Sequence, residues 1–294
     1  VNDEELWEIS IRIPGHLRDR AIVHLHGISP DGFEEREVSE EESLFVFYRP
    51  VEEGTEQGFV TEFAGLISLL GVAQSSINMR KIASEDWVRR VRENLGPVQV
   101  GSLLIVPPWS DAPAGEGVTE VVISPGTAFG TGHHESSRLA LREVATCMEE
   151  LNPERILDIG CGTGLLAISA LLLGAGEAYA CDISPDAVAA AEQNAHRNGV
   201  QEQLHMCCVD AAGLPLADWP DSFPLVVANL TADAFEECAA ALRPLTEIGG
   251  RLVLSGFYGS EARQADALFP IEFWTPVRRS AEGSWHALVL ERIA

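Results

Sequence analysis

The sequence predicts an α/β protein, an open sheet of alternating strands and helices, preceded by a smaller α+β domain. Three observations carry that expectation. In the second half of the chain, short apolar runs alternate with helix-like stretches, as in strands that return through crossover helices. One such run, Ile156-Leu157-Asp158-Ile159, leads into a turn with glycines at 160, 162 and 164, and the next, Ala178-Tyr179-Ala180-Cys181, ends in Asp182. The first eighty or so residues instead carry four strand-like and two helix-like stretches. At 294 residues the chain can bury two ordinary cores or one large one.

Residues 6–13 alternate apolar and polar, a half-buried strand, and Pro14-Gly15 breaks it before a helix over 16–27. Residues 33–38 and 44–48 read as two strands joined by an acidic turn, with Pro50 ending the second. Apolar residues at 59, 60, 63, 66, 67 and 70 predict a helix over 55–70, stopped by Gly71, and 77–83 is a further strand. The order β-α-β-β-α-β is the ferredoxin-like plan. A short helix from Ser84, with Asp86 in its first turn, reads as a linker. The expected boundaries are a small domain over 1–83, a linker helix over 84–97 and an α/β domain over 98–294.

In that last domain, 98–106 is strand-like, 107–117 a loop, and a helix with Leu139, Leu141, Val144 and Met148 follows a crowded loop, with Ser136 and Ser137 as expected capping hydroxyls. Helices are expected over 164–173, 185–197 and 233–242. Strands are expected over 204–209, 223–228, 251–255, 271–275 and 285–290, the last reached by a turn at Glu282-Gly283. The result is a Rossmann-like, seven-stranded sheet whose final strand is inserted antiparallel.

Composition narrows the function. The net charge is −25, and Lys81 is the only lysine among 20 basic residues. A nucleic-acid binder needs cations to displace counterions from phosphate, so direct nucleic-acid binding is not expected. The acidity fits either a salt-adapted source or steering of a basic protein partner. No apolar run approaches the length that crosses a membrane, and the acidic start lacks the features of a signal peptide, so the expected place is the cytoplasm. The six cysteines contain no C-x-x-C pair, and Cys161 reads as a small residue between glycines rather than as a nucleophile. His133 and His134 are adjacent but lack H-E-x-x-H spacing, so no metal is expected.

The glycine-rich turn opens a helix whose amides and positive dipole end face a ligand, and Asp182 is placed to accept from ribose hydroxyls. A dinucleotide fingerprint would need glycine at 165, where Leu165 stands. The pattern D-x-G-x-G-x-G resembles motif I of class I S-adenosylmethionine-dependent methyltransferases. Asp210, closing the third strand of the sheet, is either an acceptor for the adenine amino group or a plain strand-end acid.

Four stretches occur in one order: Pro125-Gly126-Thr127-Ala128-Phe129-Gly130-Thr131-Gly132-His133, Asp158 to Gly164, Asp182-Ile183-Ser184-Pro185 and Val227-Ala228-Asn229-Leu230. Together they resemble the bacterial methyltransferases of large-subunit ribosomal protein L-eleven, across essentially the whole chain. The resemblance implies cofactor contacts from Ser137, Gly160, Asp182 and Asn229, to which the turn reading adds Gly162. It also implies a substrate-recognition role for the N-terminal domain. His134-Glu135-Ser136-Ser137 departs from the family's H-P-T-T, keeping the hydroxyls, and a tryptophan expected after Trp87 is replaced at Val91.

The expected reaction is methyl transfer from S-adenosylmethionine to lysine ε-amines, with an N-terminal α-amine as a further target, on a basic ribosomal protein, by a monomer. A lysine amine must lose its proton before attack, and desolvation favours that. Asn229 is expected to orient amine or cofactor through its carbonyl oxygen, the alternative being a cap for the next helix, and Phe129 to wall the site. Methylation of another protein, of RNA or of a small molecule would use the same cofactor half.

Overall fold

In a computed structural model, residues 5–18, 21, 25, 34–39, 41–51, 54–73, 76–83, 95–125, 130–214 and 216–294 are described. The chain divides into two units, Val1–Asn94 and Leu95–Ala294.

Period-two patterning builds the first unit. Strands β1 (Glu5–Pro14), β2 (Glu34–Ser39), β3 (Glu42–Pro50) and β4 (Ile77–Ala83) form an antiparallel sheet in the order β2-β3-β1-β4. On one face Ile9 and Ile11 lie opposite Phe47 and Phe45, all fully buried. Helix α1 (Glu56–Leu70) contributes Phe59 and Phe63, with the Phe63 ring 5.0 Å from that of Phe47. Ala21 and Leu25, helical and four residues apart, are also buried. Gly15–Leu17 forms a short 3-10 helix, whereas residues 19, 20, 22–24, 26 and 27 of the helix expected over 16–27, and residues 84–94 of the expected linker, lie outside the described residues.

The second unit begins with a small sheet of β5 (Val98–Val100), β6 (Leu103–Val106) and β7 (Thr119–Val122). The single strand expected over 98–106 is therefore a hairpin. Its turn is Gly101-Ser102, with Gly101 at φ +59, and the apolar residues on both sides mask it in the sequence. Strand β7 was not expected at all.

The main sheet contains β8 (Arg155–Ile159), β9 (Glu177–Asp182), β10 (Leu204–Cys208), β11 (Phe223–Asn229), β12 (Thr246–Tyr258), β13 (Trp274–Glu282) and β14 (Trp285–Arg292). Its order is β10-β9-β8-β11-β12-β14-β13. Strands β8 to β12 run parallel, and β14 is inserted antiparallel between β12 and β13. Helices α2 (Glu135–Leu151), α3 (Leu165–Leu172) and α4 (Pro185–Asn198) pack on one face, with Val227 and Val253 beneath them. Helices α5 (Ala232–Leu245) and α6 (Ala262–Leu268) pack on the other, over Val226 and Ala228. A parallel sheet covered on both faces accounts for near-continuous apolar runs such as Leu225-Val226-Val227-Ala228.

From β8 the chain winds outward to β9 and β10, then returns to place β11 on the other side of β8. That reversal makes the carboxyl ends of β8 and β11 a topological switch point, the place where open α/β sheets bind ligands.

One further expectation is corrected. The sixth strand of the sheet spans Trp274–Glu282, not 271–275, and α6 precedes it. Strand β13 is an edge strand with Pro276, a bulge before Arg278 and mostly exposed polar residues, so it carries no apolar alternation to read.

Helix α2 is tied to this edge by an ion pair. The buried Glu143 carboxylate accepts from Arg278 Nε at 2.6 Å and from Ser280 Oγ at 2.8 Å. Arg278→Ala strands a buried charge and is expected to destabilise the protein by about 3 kcal/mol in denaturant unfolding. A loss under about 1 kcal/mol would show that Glu143 finds other solvation.

Candidate functional site

The turn after β8 is shaped by its glycines. Gly160, Gly162 and Gly164 have φ of +69, +54 and +78, a region that side chains strain to reach. A Cβ on Gly160 would lie 2.3 Å from Leu230 Cδ2, so this glycine also permits close approach of the β11 end. The amides of Gly160 and Cys161 donate to the Cys181 carbonyl at 2.9 and 3.1 Å. Asp182 completes the fastening: its Oδ2 accepts from the Gly162 amide and its Oδ1 from the Ser184 amide, both at 2.9 Å. Each carboxylate oxygen keeps a further lone pair for a ligand hydroxyl. Cys161, expected as a passive small residue, is buried, and burial raises its thiol well above the usual range.

Asp158 sits beneath this turn, fully buried. Its Oδ2 accepts from the Ala167 amide in the first turn of α3 at 3.1 Å, and Oδ1 has no partner among the described residues. Burial pushes its carboxyl up to about 7, opposed by the Ala167 hydrogen bond and reinforced by the nearby charge of Asp182.

The opposite wall comes from α2, β11 and β12. The expectation that Ser136 and Ser137 cap α2 gives way to His134. Its Nδ1 accepts from the Ser136 amide at 3.3 Å and lies 2.8 Å from Ser136 Oγ. The helix starts at Glu135, which puts both serines inside its first turn. The His134 ring stands edge-on to Trp285 with centroids 4.5 Å apart. Ser137 is buried, and its Oγ has no hydrogen-bond partner among the described residues. The same is true of Asn229 Oδ1 at the end of β11. Asn229 is not the cap of the following helix, because Thr231 Oγ1 takes that role by accepting from the Ala234 amide. Asp210 Oδ1 accepts from the Gly213 amide at 2.9 Å and caps the short turn 211–213. Phe129 lies outside the described residues.

Other side chains hold these parts together, and the sequence reading passed over them. On α4, the buried Asn194 donates to the Thr163 carbonyl at 3.0 Å and accepts from the Ser124 amide at 3.0 Å. Asn198 makes both backbone hydrogen bonds to Val122, at 2.8 and 2.7 Å. Thr163 Oγ1 donates to the Gly130 carbonyl at 2.5 Å. The signal was available: two asparagines four apart on a helix whose buried positions are otherwise alanines 187, 191 and 195. Ile183, directly after Asp182, is 76% exposed, an apolar surface at the strand end beside the acids. The His133 ring nitrogens lie 3.2 Å from the Thr131 carbonyl and 2.9 Å from that of Gly96. Among the described residues no three His, Cys, Asp or Glu side chains converge as a metal site, and no helix is long and apolar enough to cross a membrane.

A topological switch point, a glycine turn fastened by a strand-end acid and a terminal antiparallel strand define a class I methyltransferase fold. Comparison with known proteins narrows this. A family model described as ribosomal protein L11 methyltransferase matches residues 17–293. The ribosomal protein L11 methyltransferase of Cupriavidus taiwanensis is 38% identical over 211 residues, 70% of this chain and 66% of that protein. That of Desulfotalea psychrophila is 29% identical over 284 residues, 92% of this chain and 91% of that protein. A crystal structure of ribosomal protein L11 methylase from Lactobacillus delbrueckii subsp. bulgaricus superposes with a TM-score of 0.61 at 28% identity, over 68% of this chain and 100% of that one. The chain belongs to the ribosomal protein L11 methyltransferase family. Its match to the Cupriavidus relative spans just under two thirds of that protein's length.

Two outcomes test the geometry. Gly256 has φ +95, and a Cβ there would lie 2.4 Å from the Leu230 carbonyl oxygen and 2.9 Å from Asn229 Oδ1. Gly256→Ala is expected to lower stability by roughly 2 kcal/mol or more in denaturant unfolding, whereas a neutral effect would mean that the β11 end can move aside. For Asp158 the folded pKa, about 7, exceeds the ordinary aspartate value of 3.8, so the folded state holds its proton longer than the unfolded chain does. Its contribution to stability therefore falls between about pH 4 and pH 7 and stays low above that range. Asp158→Asn is expected to stabilise the ligand-free protein more at pH 8 than at pH 5, by an increment on the order of 2 kcal/mol. Equal effects at both pH values would place the carboxylate in water.

Proposed function

We propose that the protein transfers methyl groups from S-adenosylmethionine to amino groups of a large-subunit ribosomal protein, lysine ε-amines above all. The observation that carries the reading is the pair of buried, unpartnered polar atoms, Ser137 Oγ and Asn229 Oδ1, in an α/β domain that presents the Gly160–Gly164 turn at the same sheet edge. Burying a polar atom without a partner is unfavourable, and such atoms persist where a ligand satisfies them. The substrate is supported by the family: the relatives are ribosomal protein L11 methyltransferases by name.

The residues fit the cofactor. Asp182 would accept from ribose hydroxyls while keeping the Gly162 and Ser184 amides, and the Gly160 and Gly162 backbone would meet the cofactor without a side chain between them. Ile183 offers an apolar surface beside the acid, and Asp210 stands at the end of the neighbouring strand. Ser137 would hydrogen-bond the cofactor from the opposite side. When bound, S-adenosylmethionine supplies a methyl group activated by its sulfonium.

What remains for the chain is to align the amine and present it without its proton. Asn229 Oδ1 is an acceptor only, so it would hold an amine N–H and turn the nitrogen lone pair toward the methyl. The buried setting of Asn229 disfavours an ammonium, which lowers the lysine pKa without a strong base. Phe129 is proposed as a wall of the same site, and the N-terminal unit as the substrate-recognition element. The net charge of −25 favours a basic partner.

The test is incubation with methyl-labelled cofactor and separated large-subunit ribosomal proteins. Label is expected on protein L11. Asn229→Ala is expected to lower the rate by about 100-fold, and Asp182→Ala to raise the cofactor KM by about 100-fold or more, because it removes the ribose acceptor together with the hydrogen bonds that fasten the turn. Label on a different protein would keep the chemistry and overturn the substrate. Full activity in Asn229→Ala would overturn the alignment role.

A further inference from the structure

We propose that Ser255 is a positioning residue for methyl transfer, a side chain that holds the helix turn of Ser137 against the strand end of Asn229. The proposal rests on the functional reading above and goes beyond it by naming what holds the two groups.

Ser255 is fully buried and interrupts an otherwise apolar run in β12, Leu252-Val253-Leu254. It pairs with Asn229 in the β11–β12 register, and its carbonyl accepts from the Leu230 amide at 2.9 Å. Its hydroxyl donates to the Ser136 carbonyl at 2.9 Å, with the His286 carbonyl at 3.4 Å as a second acceptor. One residue thus joins the strand end that carries Asn229 to the helix turn that carries Ser137. The next residue, Gly256, has no Cβ to displace Asn229 Oδ1 or the Leu230 carbonyl. Ser255 and Gly256 together form the seat of Asn229.

The chemistry needs such a joint. Ser136 lies in the first turn of α2, and its carbonyl oxygen has two lone pairs, one of which a helix leaves free. A hydroxyl on β12 is a short, rigid link from this turn to the strand beside Asn229. Alanine at 255 would keep the strand and remove only the link. In-line methyl transfer is steeply sensitive to the placement of the reacting groups, so loosening the link acts on turnover more than on cofactor affinity.

The experiment is a double-mutant cycle on the full chain with the ribosomal-protein assay. Ser255→Ala is expected to lower kcat by about 30-fold, with the cofactor KM changed less than about threefold, and Ser255→Thr, which keeps the hydroxyl, to recover most of the loss. In an Asn229→Ala background the same substitution is expected to change kcat by less than about threefold, because the group it positions is gone. Melting temperatures of all variants report any general weakening, which would be the same in both backgrounds. An equal loss of kcat in both backgrounds, or an unchanged kcat in Ser255→Ala, would overturn the proposal. If Asn229→Ala alone leaves kcat intact, the reading of Asn229 fails first, and the positioning role falls with it.

Discussion

The hold of Asp182 on the glycine turn is the interaction on which the site depends. Three positive-φ glycines give the turn no side chains of their own to pack, and the only side chains between them are those of Cys161 and Thr163, both buried. The shape comes instead from hydrogen bonds directed at the end of β9: two amides on the Cys181 carbonyl, one on Asp182 Oδ2, and the Ser184 amide on Oδ1. The acid that would meet a ribose is therefore also the acid that shapes the loop. Asp158 beneath it, buried with one partner and pushed up to about 7, supports the start of α3 at an electrostatic cost. Around this centre, the asparagines of α4 and the Thr163 hydroxyl bind the flanking segments at 122–124 and 130.

The second half of the site is built differently. Ser137, Ser255 and Asn229 come from a helix turn and two strands far apart in the chain, and strand register together with the Ser255 hydroxyl brings them to one edge. The proposed division of labour, a rigid turn for the cofactor beside a strand-defined edge for the acceptor, is one that the parallel sheet makes available, because its switch point brings β8 and β11 together.

What the sequence revealed and what it hid follow from range. Asp158, the three glycines and Asp182 declare themselves because their function is local: a turn, a dipole end and a strand-end acid within about one β-α-β unit. The parallel strands of the core were legible as apolar runs for the same reason. Strand β13 was not, because an edge strand held by arginine and glutamate pairs, with Pro276 in it, has no apolar period. The hairpin at Gly101 was lost inside a continuous apolar run. His134 as the cap of α2 was hidden by the two serines beside it, and only the helix start at Glu135 settles which residue lies outside the first turn. Ser255 was invisible: a serine in an apolar strand gains meaning only when the carbonyl of Ser136, 119 residues away, lies 2.9 Å from it.

The central claim is that the switch point at the ends of β8 and β11 takes an S-adenosyl nucleoside and not a dinucleotide. Isothermal calorimetry on the full chain with S-adenosylhomocysteine and, separately, with the oxidised nicotinamide dinucleotide tests it most directly. Saturable one-to-one binding of the first, weakened in Asp182→Ala, with no heat from the second, is the result this account predicts. Binding of the dinucleotide with none of the S-adenosyl ligand would contradict it, and the turn at 160–164 would then belong to a different chemistry.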